Sequence, residues 1–171
     1  AFWFSNMSEP PRLTAHRAVV LGLVASVAII AAVFYFQTIR GLAPCELCLW
    51  QRKPHYAVIA VAGLTLAALA TGRIRTLAVP LVLMTLLYLG AAGLGLLHVG
   101  VEQHWWPSPV GCSAGGDSTD PAAILNELLR APIVACDAVA WSLFGISMAG
   151  YNVVVSLMLA GLMLAGLRSR R

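Results

Sequence analysis

Four stretches of this chain are apolar for long enough to cross a bilayer, and that constrains its fold more than any motif. They lie at about 18–36, 45–70, 77–97 and 144–167, near the roughly 20 residues that a helix needs to span the hydrocarbon. Backbone polar groups in lipid must be satisfied within the protein, which leaves helices as the way to use such runs. The expected fold is therefore an all-α integral membrane protein, a four-transmembrane-helix bundle forming one domain over residues 1–171. Only 11% of residues are charged and 60% are hydrophobic, against roughly 25% charged in a soluble domain, so a soluble core is excluded. The net charge of +4 could suggest nucleic acid. The Lys and Arg residues stand singly between apolar runs and form no patch, so no nucleic-acid partner is expected. Ala1 to Asn6 precede Met7-Ser8-Glu9, which reads as a natural start, and are set aside as a remnant. The first run is too long for a signal-peptide core and has no small-residue cleavage site, so it is expected to stay as an anchor.

The basic residues set the expected orientation. Arg12, Arg17, Arg73, Arg75, Arg168, Arg170 and Arg171 flank one side, against Arg40, Arg52, Lys53 and Arg130 on the other. The richer side faces the cytoplasm, which puts both termini inside and one long loop, about 98–142, outside. Within that loop Asp120-Pro121 followed by Ile124, Leu125, Leu128 and Leu129 reads as a capped short amphipathic helix. It would lie either on the bilayer surface or against the bundle.

All four cysteines then share the outer, oxidising side. Cys45 and Cys48 belong to Pro44-Cys45-Glu46-Leu47-Cys48-Leu49-Trp50-Gln51-Arg52, where a polar turn enters the second run. With a helix starting at about Pro44, the proline takes the first helical position and the two sulfurs share one face of the first turn. The helix start and Arg52, one turn beyond Cys48, both favour a thiolate there. The dipole favours Cys45 and Arg52 favours Cys48. Pro54 either bends this helix or marks a late start. Cys112 and Cys136, with 23 residues between them, read either as a loop staple or as a mobile pair that exchanges disulfides with the first.

Other candidates are weighed against these. Metal binding is not expected, because only one cysteine pair is close in sequence. His16, His55 and His104 read as interfacial or solvated, and His98 as the residue that closes the third run. Trp105 and Trp106 read as interfacial anchors that could also wall a ring-shaped ligand. His98 and Arg52 at the outer interface could donate to a quinone carbonyl.

Taken together, Pro44-Cys45-x-x-Cys48-x-Trp50-x-Arg52, His98, Trp106-Pro107-Ser108-Pro109 before Cys112, Cys136 with Trp141, and Phe144-Gly145 opening the fourth span resemble the DsbB family of disulfide-forming membrane oxidoreductases. The resemblance runs from the first span to Tyr151-Asn152. It implies an enzyme of the bacterial inner membrane that reoxidises a periplasmic DsbA-like thioredoxin-fold protein and passes electrons to the membrane quinone pool, ubiquinone or menaquinone. It implies that Cys112 forms the mixed disulfide with the partner and that Cys136 exchanges with Cys45. Cys48 would face the quinone, with Arg52 and His98 as further quinone contacts.

Two rivals remain at this level. A vitamin K epoxide reductase-like enzyme also sets a C-x-x-C beside a quinone, but there the loop pair precedes the C-x-x-C along the chain. A structural membrane protein braced by two disulfides would keep both closed under mild dithiol treatment.

Overall fold

Three of the helices begin where a side chain takes up a free N–H group of the first turn. Thr14 accepts from Arg17 N, Cys45 from Cys48 N and Ser147 from Gly150 N, the usual work of an N-cap. The computed structural model describes residues 14–110, 112 and 134–169. Among these residues α1 (Ala15–Thr38), α2 (Glu46–Ala70) and α3 (Ala78–Glu102) are followed by a hairpin, β1 (Ser142–Leu143) and β2 (Ile146–Ser147), and by α4 (Met148–Arg168). All four helices are long and apolar enough to cross a membrane. The expected short helix at Asp120–Leu129 lies outside the described residues.

The boundaries differ from expectation in four places, each for a local reason. Pro44 stands before the cap and not in the first helical position, because Cys45 Sγ itself takes the cap bond. The helix is continuous through Pro54, so the late start does not occur; the proline only withholds the donor that the residue 50 carbonyl would receive. Helix α3 does not close at His98 but runs one turn further to Glu102, whose carboxylate accepts from Ser147 Oγ. At the fourth run Phe144 and Gly145 do not open the helix. They form the two-residue turn of the hairpin, both at positive φ (50° and 78°), the backbone that matches strand twist in tight hairpins. Ser147 then caps α4.

The most buried span is that of α3, with 39% of its most apolar window inside the protein against 17% for α1. Ala18, Val58, Leu81, Met84, Tyr88 and Met163 form the mid-bundle core. Tyr88 Oη donates to Gly22 O at 2.9 Å, so Ser26 Oγ, 2.9 Å from the same oxygen, is the donor to Tyr88. Small residues let the helices approach, as bundles in lipid require: a Cβ on Gly22 would stand 2.6 Å from Met84 Cε, and one on Gly166 2.6 Å from Ala18 Cβ. Large side chains such as Leu64, Val79, Leu86 and Met158 point outward, where the bilayer replaces a protein neighbour.

Connectivity gathers the end of α1, the start of α2, the end of α3 and the start of α4 at one pole. There the Trp106 indole lies over Gly100 and donates to Leu97 O at 3.0 Å. A Cβ at Gly100 would overlap the Trp106 indole at Cζ2 and Cε2. Gly100→Ala is therefore expected to lower thermal stability by about 1–3 kcal/mol, the range for overpacking, and to loosen the segment that leads to Cys112. A melting curve of the detergent-solubilised variant matching that of the parent would refute the tight packing.

Candidate functional site

At this pole both cysteine pairs enter one buried cluster. Cys45, Cys112 and Cys136 pack with Leu47 and Val101, and Cys48 lies against the same group. Cys112 and Cys136 form a disulfide with Cα atoms 5.4 Å apart, and Cys136 N donates to Cys112 O at 2.6 Å. Cys45 and Cys48 are free thiols whose sulfurs are 2.7 Å apart, nearer to the roughly 2.05 Å of a disulfide bond than to the separation of unrelated groups. Cys45 is buried, whereas Cys48 is half-buried.

Of the two opposed influences, the helix dipole favouring Cys45 and Arg52 favouring Cys48, the first meets resistance at Cys45. Its hydrogen bond to Cys48 and its burial raise its pKa above the ordinary thiol range, and the backbone N–H of Cys48 only partly opposes them.

The surrounding hydrogen bonds orient Asn152, Gln51 and His98 from one backbone carbonyl. Ala91 O can only accept, so the Asn152 atom 3.2 Å from it is the amide nitrogen. That same Nδ2 donates to Gln51 Oε1 at 2.7 Å, which turns Gln51 Nε2 toward His98 Nδ1 at 2.6 Å. His98 Nδ1 accepts, so the neutral ring carries its hydrogen on Nε2. Nε2 lies 3.6 Å from Cys45 Sγ and 4.0 Å from Glu102 Oε1, and the ring also interacts with the Cys136 backbone. Cys45, Cys48 and His98 place their donor atoms within 4.8 Å of one another, a set that zinc can accept. The tautomer directs an N–H, not a lone pair, at the sulfurs, which suits hydrogen bonding to a thiolate.

Beside the sulfurs opens a cavity of about 340 Å³, within the size range of small-molecule sites. Cys48, Arg52 and His55 line it from successive turns of α2, and Phe36, Trp141 and Val155 supply apolar wall. Arg52 Nη1 donates to Gln37 Oε1 at 2.8 Å, and its guanidinium carbon is 5.5 Å from the Phe34 ring centroid. His98 reaches both the sulfur cluster and the cavity wall.

Several expectations change at this point. Trp105 and Trp106 do not line the cavity; Trp141 does, packed at 5.2 Å on Phe36. His55 is not solvated but 1% exposed, because Pro54 does not end the helix and α2 turns that face inward. Its Nε2 is 3.1 Å from Asn152 Oδ1. Gln51, Glu102 and Asn152 went unassigned, although Asn152 had a visible signal as an amide near the start of an otherwise apolar run.

Comparison with known proteins shows the family. Residues 15–166 match the model of the family described as disulfide bond formation protein DsbB. The chain is 32% identical over 169 residues to Disulfide bond formation protein B of Verminephrobacter eiseniae, covering 92% of this chain and 91% of that protein. The protein of the same description from Dechloromonas aromatica is 34% identical over 138 residues, covering 74% of this chain and 76% of the relative.

Proposed function

The chain belongs to the DsbB family and is a multi-pass membrane thiol oxidoreductase of disulfide bond formation; from that premise we propose that it oxidises a periplasmic DsbA-like thioredoxin-fold protein and delivers the electrons to ubiquinone or menaquinone in the membrane. One observation carries the reading: Cys48, its sulfur 2.7 Å from that of Cys45, opens onto an apolar cavity that also holds Arg52, while the second cysteine pair packs in the same cluster.

The partner's thiolate attacks Cys112 Sγ and releases Cys136 as a thiolate. The partner's second thiol then displaces Cys112, so the partner leaves as a disulfide and the loop pair as a dithiol. Cys136 exchanges with Cys45 in an oxidised Cys45–Cys48 pair, which moves the two electrons to the α2 pair. The His98 Nε2–H aimed at Cys45 Sγ stabilises that sulfur when it leaves as a thiolate. With Gln51 holding its other nitrogen, His98 works at Cys45 in this scheme, and its place on the cavity wall also makes it a contact for the quinone.

The cavity suits a quinone head group, with apolar and aromatic walls, a guanidinium donor and a sulfur at one end. Quinone, when bound, supplies an acceptor for two electrons and two protons. Arg52 offers its N–H groups to the oxygen on which negative charge grows, held in place by Gln37 and Phe34. In the membrane this reading places both termini in the cytoplasm, the sulfur pole at the periplasmic face and the protein in the inner membrane.

Arg52→His tests the site. It is expected to raise the KM for quinone by roughly 10- to 100-fold, the size of a hydrogen bond to a charged group, before the melting temperature moves. Unchanged quinone dependence of turnover would remove Arg52 from the site.

A further inference from the structure

We propose that His55 distinguishes the reduced ring from the oxidised one: its Nδ1 accepts a hydrogen bond from a hydroxyl of the quinol, a bond the quinone cannot offer. The inference rests on the quinone reading given above and adds to it a residue and a preference for redox state.

The same carbonyl that orients His98 also orients His55. With Asn152 Nδ2 committed to Ala91 O and Gln51 Oε1, Asn152 Oδ1 faces the other way and accepts from Ser156 Oγ at 3.2 Å. It also lies 3.1 Å from His55 Nε2, which is therefore the protonated nitrogen of the neutral ring. Nδ1 is left with a bare lone pair. Among the described residues it is the one buried side-chain nitrogen or oxygen without a hydrogen-bond partner, on a ring that is 1% exposed and forms part of the cavity wall.

A buried acceptor on a side chain of a cavity wall is satisfied by a ligand that brings a donor. Cys48, Arg52 and His55 lie at i, i+4 and i+7 of α2, a stripe about 10 Å long along which one ring can touch all three. Arg52 only donates and can hold an oxygen of either redox form. His55 Nδ1 only accepts, and carbonyl oxygens have no hydrogen to give it. The donor comes into being with the reaction: two thiols close to the Cys45–Cys48 disulfide, and the ring that takes their two electrons and two protons carries two hydroxyl groups. A contact specific to the product favours the reduced form of the bound couple and so makes the bound quinone a stronger oxidant of the α2 dithiol.

The test measures anaerobic binding of a short-tail ubiquinone analogue and, separately, its quinol to the full-length protein in nanodiscs. His55→Phe is expected to weaken quinol binding by about tenfold, the effect of one net hydrogen bond, and quinone binding by no more than about twofold. A tenfold change in that ratio lowers the potential of the bound couple by about 30 mV. His55→Gln, which retains an acceptor, should recover part of the quinol affinity. Nitrogen NMR of histidine-labelled parent protein needs no substitution and should show the His55 Nδ1 resonance moving with quinol but not with quinone. Equal loss of both forms in His55→Phe would reveal a packing role and overturn the proposal. So would unchanged affinities with an Nδ1 resonance that ignores quinol, the behaviour of a lone pair served by solvent. Parent protein that binds neither form would instead remove the quinone reading beneath it.

Discussion

Cys48→Ser is expected to abolish electron delivery to quinone, lowering turnover by roughly 10³-fold or more, as for other lost nucleophiles, in a protein that still folds. Both sulfurs at the start of α2 border the cavity, but Cys48 is half-buried and lies one turn from Arg52, whereas Cys45 is buried within the cluster. A serine hydroxyl neither ionises at that position nor forms a disulfide with Cys45. Folding should survive because the N-cap bond uses the Cys45 sulfur and the backbone N–H of residue 48, both of which the substitution leaves in place. Quinone loss followed by absorbance, with circular dichroism as the control for fold, checks the prediction. Residual turnover within about tenfold of the parent would move the quinone-facing role to Cys45.

Cys112→Ser should produce the complementary defect. Oxidation of the thioredoxin-fold partner is expected to fall by roughly 10³-fold, while quinone affinity changes by less than about twofold. The loop disulfide is the entry point, and its two ends differ in access: Cys112 is 6% exposed and touches Ser108 Oγ at 3.1 Å, whereas Cys136 is 0% exposed. An incoming thiolate meets the less enclosed sulfur, and the fully buried one becomes the internal nucleophile. Trapping with a single-cysteine form of the partner should give a mixed disulfide at Cys112. Trapping at Cys136, or loss of quinone binding with retained partner oxidation, would reverse the assigned roles.

Much of the fold could be read from residue order because lipid leaves few choices: four long apolar runs, basic residues on their flanks and one long polar connection describe a helical bundle. The ends were less legible. Val99, Gly100 and Val101 carry α3 past His98, and Glu102 can follow only because Ser147 from another segment hydrogen-bonds it. Phe144-Gly145 is apolar enough to pass for the start of a span, and nothing in hydropathy announces two positive φ values.

The site shows the same division. Cys45, Cys48 and Arg52 follow from helical spacing, and His98 and the Cys112–Cys136 pair from their motif context. The groups that orient them come from other helices. Gln51 could be seen as a polar neighbour of Arg52, but its link to His98 depends on how α2 and α3 face one another, and its orientation depends on Asn152 from α4. His55 is the clearest case. Beside a proline it resembles an interfacial residue, and only the uninterrupted α2 with its inward face shows it to be buried.

The relay is tested most directly by mixing the purified protein with a reduced DsbA-like protein under anaerobic conditions, with and without a soluble quinone, and counting both products. Loss of one quinone per partner disulfide formed, with no sustained turnover when quinone is withheld, is the predicted result. Partner oxidation that continues unchanged without quinone, or no turnover with either ubiquinone or menaquinone analogues in folded protein with all four cysteines intact, would contradict it.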